Sequence, residues 1–181
     1  MIHLSMRPGL EGGIVTAEIS RFVKNIPPEK WAPPTQWRTI KRFMSIPCVD
    51  LILERSDKSI LYGWRLINPY SNVWALVGGR LMHGEDLMKC ASRIAKEYGL
   101  RFRELFLNGV FPVNLPTRSD LVVSLAARGV AGEPRVDGFE FSRFRWAKSS
   151  PRPIGENYVR MINKWRKAST SSQFLRLNRL S

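Results

Sequence analysis

The stretch that decides the fold runs from Gly78 to Leu100, GGRLMHGEDLMKCASRIAKEYGL. An apolar, strand-like run, Val73-Trp74-Ala75-Leu76-Val77, leads into its glycine pair. Glu85 follows Gly79 by six residues, and Arg93 follows Glu85 by eight. The spacing from Glu85 to Tyr98 predicts a helix. Leu87, Ala91, Ile94, Ala95 and Tyr98 form its apolar face, and Lys89, Arg93 and Glu97 make a polar stripe at four-residue steps. Gly99 is the expected stop. Glycines let the backbone turn tightly and bring carbonyls close to a bound ion. A helix then presents side chains from successive turns on one face. Carboxylates placed this way suit Mg²⁺, a hard cation that takes oxygen ligands from protein and from substrate phosphates. The competing reading is an ordinary amphipathic helix with an Arg93–Glu97 pair on its solvated side.

Gly79, Glu85 and Arg93 fall in register with the signature box of the Nudix hydrolases, which this stretch resembles: G, five residues, E, seven residues, then R-E-U-x-E-E-x-G-U, with U apolar. The chain departs from the box at three places. Ile94 stands where the box has Glu after its arginine, Tyr98 stands beside Glu97 where it has a Glu pair, and Gly99 arrives one residue early. A helix turns roughly 100° per residue, so an unabsorbed deletion would aim Glu97 away from an ion. The GDP-mannose mannosyl hydrolase branch also lacks several of the acids, and the chain is similar to it upstream. Asp50-Leu51-Ile52-Leu53-Glu54 looks like its D-F-I-V-E strand, and Gly63-Trp64-Arg65 sits where it has G-K-R. Trp74 with Gly78-Gly79-Arg80 matches W-F-V-P-G-G-R, Val77 replacing the proline. The resemblance covers about Ile46 to Trp146 and is weak after Leu100.

The resemblance implies an α/β fold, the Nudix α/β/α sandwich with a mixed β-sheet. It implies Mg²⁺, with Mn²⁺ as the alternative ion, held by the Gly78 carbonyl, Glu97 and Glu140. Asp50, Arg65 and Arg80 would bind a nucleotide-sugar substrate and stabilise diphosphate charge. Arg93 would orient the carboxylates, with Glu85 behind it, so that Arg65, Arg80, Arg93 and Glu97 form the catalytic set. Tyr70 and Trp74 are the aromatics placed to lie against a base or sugar, Trp74 equally reading as core. Where the branch has a histidine base after the late-strand acid, this chain has Phe141, and His83 in the glycine turn reads as a surface residue. The implied activity is Mg²⁺-dependent hydrolysis of a nucleoside-diphosphate sugar such as GDP-mannose, at the sugar carbon or at phosphorus, by a homodimer. The alternative is an inactive Nudix-fold binding protein that uses its basic termini on RNA or a protein partner.

Outward from this stretch, the 181 residues carry a net charge of +14, distributed unevenly. Residues 46–142 are nearly balanced, whereas ten basic residues stand against one acidic residue from Arg143 onward. A basic end can bind nucleic acid or acidic surfaces, or keep a protein in solution. No run of 18 apolar residues predicts a membrane span. The opening MIHLSMRPGL has no signal-like apolar region, and two unpatterned cysteines predict no disulfide framework, so a cytoplasmic setting is expected.

Three regions follow: residues 1–45 as an extension packing on the core, 46–148 as the Nudix domain, and 149–181 as a basic helix and tail. The extension carries helical spacing at Val15, Ile19, Phe22 and Val23. Thr35 is the expected cap of a second helix bearing Trp37, Ile40 and Met44. Trp31 and Trp37 read as core or dimer-contact residues, with base stacking as the alternative. In the domain, strands are expected at 46–54, 59–67, 105–113, 120–128 and 139–146. Asn114–Ser119 reads as a loop bordering the site. Glu156–Lys167 reads as an amphipathic helix, and FLRLNRLS at 174–181 as a frayed tail or partner-binding strand.

Overall fold

The computed structural model of the chain describes residues 32–168 and 175–179. Contacts divide the chain into Met1–Ala32 and Pro33–Ser181, and the fold is that of the second unit. The expected helix around Val15–Val23, Trp31 and His3 lie outside the described residues. The elements, in chain order, are α1 (Pro34–Phe43), β1 (Ile46–Leu53), β2 (Ile60–Arg65), β3 (Val73–Ala75), β4 (Val77–Arg80) and α2 (Leu87–Glu97). They continue as β5 (Glu104–Leu115), β6 (Arg118–Arg128), β7 (Phe141–Ala147), α3 (Glu156–Ala168) and β8 (Leu175–Arg179). No helix among the described residues is long and apolar enough to cross a membrane.

Two sheets carry the fold. The larger has the order β4-β1-β6-β5-β8, and the smaller β3-β2-β7. β1 and β6 run parallel while the other pairs are antiparallel, which makes the larger sheet mixed. The reason is visible in β1: Val49, Leu51, Ile52 and Leu53 are all fully buried. A strand apolar on both faces belongs at the centre of a covered sheet. α2 lies against β1 and β4 through Cys90, Ala91, Ile94 and Ala95, and α3 lies against β5. α3 is anchored at the bulge in β5, where the Asn108 amide nitrogen donates to Ser124 Oγ and to the Met161 carbonyl, both at 3.0 Å. At its far end Trp165 Nε1 donates to the buried Glu54 carboxylate at 2.7 Å.

The structure alters several expectations. α2 starts at Leu87, because the Asp86 side chain caps the Lys89 amide at 2.7 Å, so Glu85 precedes the helix. Thr35 lies inside α1, whose N-cap is Pro33 and makes no side-chain capping bond. The apolar side of α1 is not core either, since none of its residues is buried. The expected loop at Asn114–Ser119 is a tight hairpin between Leu115 and Arg118, so Arg118 stands on a strand. Glu140 immediately precedes β7. Within the expected tail, Leu175–Arg179 form β8, which pairs with Glu104–Leu107 of β5 in the same chain, and Arg176 bonds Glu104.

Candidate active site

The strand register assembles the site. Asp50 on β1 stands beside Gly78 on β4 and Ser124 on β6, Cys48 beside Arg80 and Val122, and Ile46 beside Asp120. Residues in register share a face, so Asp50, Arg80 and Asp120 line one side of the sheet. A Cβ on Gly78 would lie 2.0 Å from Asp50 Oδ1. The glycine is there because the Asp50 carboxylate occupies that space. Burial pushes the Asp50 carboxyl up to about 7, the neighbouring Asp120 and Glu140 carboxylates add to the shift, and Arg65 opposes it.

Arg65 reaches the same cleft from β2. Its Nη1 pairs with Glu140 Oε1 at 2.6 Å, and its Nε donates to the Ile67 carbonyl at 3.2 Å. Glu140 is raised as well, chiefly by burial. The loop before β7 is held by Asp137, whose Oδ1 accepts from the amides of Phe139, Glu140 and Phe141. Tyr98 OH points at Glu140 Oε2 from 3.5 Å. Tyr70 closes another side. Its hydroxyl accepts from Asn157 at the start of α3, its ring meets Tyr158 edge-on, and burial followed by the Asn157 bond and the Asp120 and Asp50 charges perturbs its phenol, with a net rise. Arg80 carries its guanidinium 4.2 Å over the Trp37 ring, so Trp37 of α1 belongs to this cleft and is not a core residue.

The box forms a second constellation. Arg93 Nε and Nη2 grip Glu85 Oε1 and Oε2 at 2.6 and 2.9 Å, while Nη1 reaches Glu97 Oε1 at 3.1 Å. Nη2 also donates to the Arg80 carbonyl at 2.9 Å, which ties the helix to the glycine turn. Glu85 accepts the Met82 amide at 3.0 Å, and its carboxyl is held down at about 2, mainly by Arg93. This is a bidentate, charge-assisted pair, the strong kind of ion pair. Its role here is to lock the turn onto the helix.

The structure thus brings Asp50, Arg65, Tyr70, Gly78, Arg80 and Glu140 to one cleft and places Glu85, Arg93 and Glu97 on the box side of it. The two groups meet electrostatically, since the Glu97 charge is felt at Glu140. The departures from the box are structural. Ile94 is fully buried, and Tyr98 packs edge-on against Phe141 and Phe144. Phe141 is a fully buried core ring, and Trp74 is core too. His83 sits in an exposed turn. Among the described residues no group of three or more His, Cys, Asp or Glu side chains is placed to hold a metal ion. Glu97 is engaged by Arg93 and Glu140 by Arg65. These donors do not fit a resident divalent ion as they stand.

Sequence reasoning missed one pair. Arg118 clasps Asp120 through two bonds, 2.7 and 3.0 Å, on the cleft side of β6. Nothing local marks it, because its proximity to Asp50 and Arg80 depends on the parallel β1–β6 register. A groove of about 390 Å³ between the β1–β2 turn and the end of β6, lined by residues such as Arg55, Asp57, Arg128 and Val130, contains none of the cleft residues.

No family model matches the chain, and no curated protein sequence does either. Solved structures do. The MutT Nudix hydrolase from Burkholderia pseudomallei is similar with a TM-score of 0.62 and 18% identity, over 67% of this chain and 98% of that one. The Nudix domain of Shewanella oneidensis NrtR, complexed with ADP ribose, is similar with a TM-score of 0.60 and 16% identity, over 83% and 97%. A bifunctional NMN adenylyltransferase/ADP ribose pyrophosphatase from Francisella tularensis, complexed with AMP and a Mn ion, is similar with a TM-score of 0.55 and 14% identity, over 85% and 46%. Sheet order, the helix after the glycine turn and these likenesses agree: this chain has the Nudix fold.

Proposed function

We propose that this chain hydrolyses a nucleoside-diphosphate-linked compound, a nucleoside-diphosphate sugar of the GDP-mannose kind, in the cleft around Asp50. One observation carries the reading. The Gly78 backbone leaves room for the Asp50 carboxylate alone, and Arg65 and Arg80 flank it. Guanidinium groups held in advance stabilise phosphate charge as it develops, and bidentate geometry suits them to a diphosphate. Burial raises both the Asp50 and Glu140 carboxyl groups, Asp50 to about 7, where a side chain holds or moves a proton near pH 7. Tyr70 and the Trp37–Arg80 stack provide flat surfaces for a base or sugar. Neighbours that carry ADP ribose or are named for its cleavage support the diphosphate-linked class.

A second reading has its own observation. Glu97 and Glu140 are both engaged by arginines, and the buried Ile94 replaces a carboxylate of the box. A Nudix-fold protein that binds such a nucleotide without turnover fits that arrangement. The test incubates the protein with GDP-mannose, GDP-glucose, UDP-glucose and ADP-ribose, each with Mg²⁺, Mn²⁺ or EDTA, and identifies products. Free sugar plus nucleoside diphosphate, or sugar phosphate plus nucleoside monophosphate, supports hydrolysis and names the bond. Binding by calorimetry without product under every condition supports the second reading. Absence of both product and binding rejects the cleft as a nucleotide site.

A further inference from the structure

The cleft leaves the basic end of the chain unexplained, and part of that end is built into a surface. On β7, Arg143 and Arg145 are exposed. Phe144 between them turns inward onto Tyr98, so the two arginines lie on the other side of the strand. The Arg143 guanidinium sits 4.9 Å from the Trp64 ring and 5.5 Å from the Trp74 ring, in the corner where those indoles meet edge-on. The segment after β7 returns to the same place, because the Trp74 amide donates to the Pro153 carbonyl at 2.8 Å and Trp74 bridges to Ile154. Exposed Arg152 lies in that return, and exposed Lys148 begins the segment beside the Ile60 end of β2, where its charge is felt at Asp57. Among the described residues no ion pair with a carboxylate involves Arg143, Arg145, Lys148 or Arg152.

We propose that this surface binds a single-stranded polynucleotide, with a base stacked on the Arg143–Trp64 corner and phosphates on Arg145, Lys148 and Arg152. Chemistry favours this partner over an acidic peptide. An arginine seated against indoles offers a planar cationic face, and such faces stack on bases, which carboxylate-rich peptides lack. The tryptophans also restrict Arg143 before the ligand arrives, which lowers the ordering cost of binding. Stacking requires an unpaired base, so a single strand is preferred to a duplex. None of these residues is among those assigned to the Asp50 cleft, and binding requires neither metal nor nucleotide turnover.

The test is fluorescence anisotropy with the full chain and labelled 20-residue oligouridine, oligothymidine and a duplex of the same length, with polyglutamate as competitor. Arg143→Lys keeps the charge and removes the stack, and Arg145→Glu with Arg152→Glu removes phosphate contacts. Thermal melting confirms that each variant is folded. The expected result is tight single-strand binding that weakens with salt, with a log–log slope of about −2 to −3 for three or four phosphates. Arg143→Lys should weaken it about 5-fold or more, equivalent to about 1 kcal/mol of stacking, with little change of slope. The double variant should flatten the slope. Uridine or thymidine preference would name the RNA or DNA source. Four results would each overturn the proposal: no binding at low salt, both variants binding as tightly as the parent, a duplex binding as well as the single strand, or polyglutamate competing equally.

Discussion

At the scale of single residues, Asp50 and Glu85 show how one side-chain chemistry is pushed in opposite directions. The Asp50 carboxyl titrates at about 7 in the fold against 3.8 ordinarily, so between those values the native state keeps a proton that the unfolded chain releases. Its contribution to stability is full below about pH 3.8 and is lost as the pH rises to about 7. Asp50→Asn should therefore remove a slope of about 1 kcal/mol per pH unit from denaturation measured between pH 5 and 7. Equal slopes in variant and parent would show that Asp50 is ionised throughout. Glu85 behaves the other way. Its support is full above 4.5 and disappears as the pH falls toward 2. Glu85→Gln should cost about 1–3 kcal/mol at pH 7 and much less at pH 2.5, read by urea unfolding at both values. Gly78→Ala tests the cleft: the added methyl must displace the Asp50 carboxylate. Nucleotide binding should be lost at a stability cost of about 1–3 kcal/mol, as calorimetry with melting would reveal.

At the scale of elements, α2 is the part whose placement matters most, and both its ends are defined. Asp86 caps the start, and Gly99, at φ +74°, ends it. A side chain at Gly99 would meet the Glu133 carbonyl at 2.9 Å in a backbone region that disfavours any Cβ. Asp86→Ala should cost about 1 kcal/mol and Gly99→Ala somewhat more, both measured by chemical denaturation. Because Arg93 joins the helix to the Arg80 carbonyl and to Glu85, loosening either end should also weaken ligand binding. Undiminished affinity in both variants would mean that the Arg93 grip, and not the caps, sets the helix position. The helix ends at Glu97, and Tyr98 turns its ring into the core with its hydroxyl toward Glu140.

At the scale of the molecule, the larger sheet is closed on one side by β8, which covers only the Glu104–Leu107 part of β5. Beyond it, Pro112 lies on the same strand and carries no N–H to offer to another chain. Removing residues 169–181 would uncover the paired part of that edge. The expected outcome is a truncated protein that aggregates at concentrations where the full chain does not, followed by light scattering. A truncated chain that remains monodisperse would show that β8 is dispensable for edge protection. The +14 charge acts at this scale too, since it opposes self-association at low salt.

How much of this was legible beforehand follows from what each feature depends on. Periodicity and spacing are local, so the amino-acid sequence alone determined α2, β1, the glycine turn and the amphipathic α3. It also carried the resemblance of Asp50, Arg65 and Arg80 to one branch's binding residues. The tertiary structure decided everything that depends on register or on contacts between distant segments. The parallel β1–β6 pairing set Asp120 and its partner Arg118 near Asp50 and Arg80, and α1 brought Trp37 beneath Arg80. The tail became a strand because β5 had an open edge, which 174–181 alone cannot show. The partners of the candidate ligand carboxylates were decided in the same way. The amino-acid sequence names carboxylates one by one, but which arginines pair with them depends on the fold. Here Arg93 pairs with Glu97 and Arg65 with Glu140.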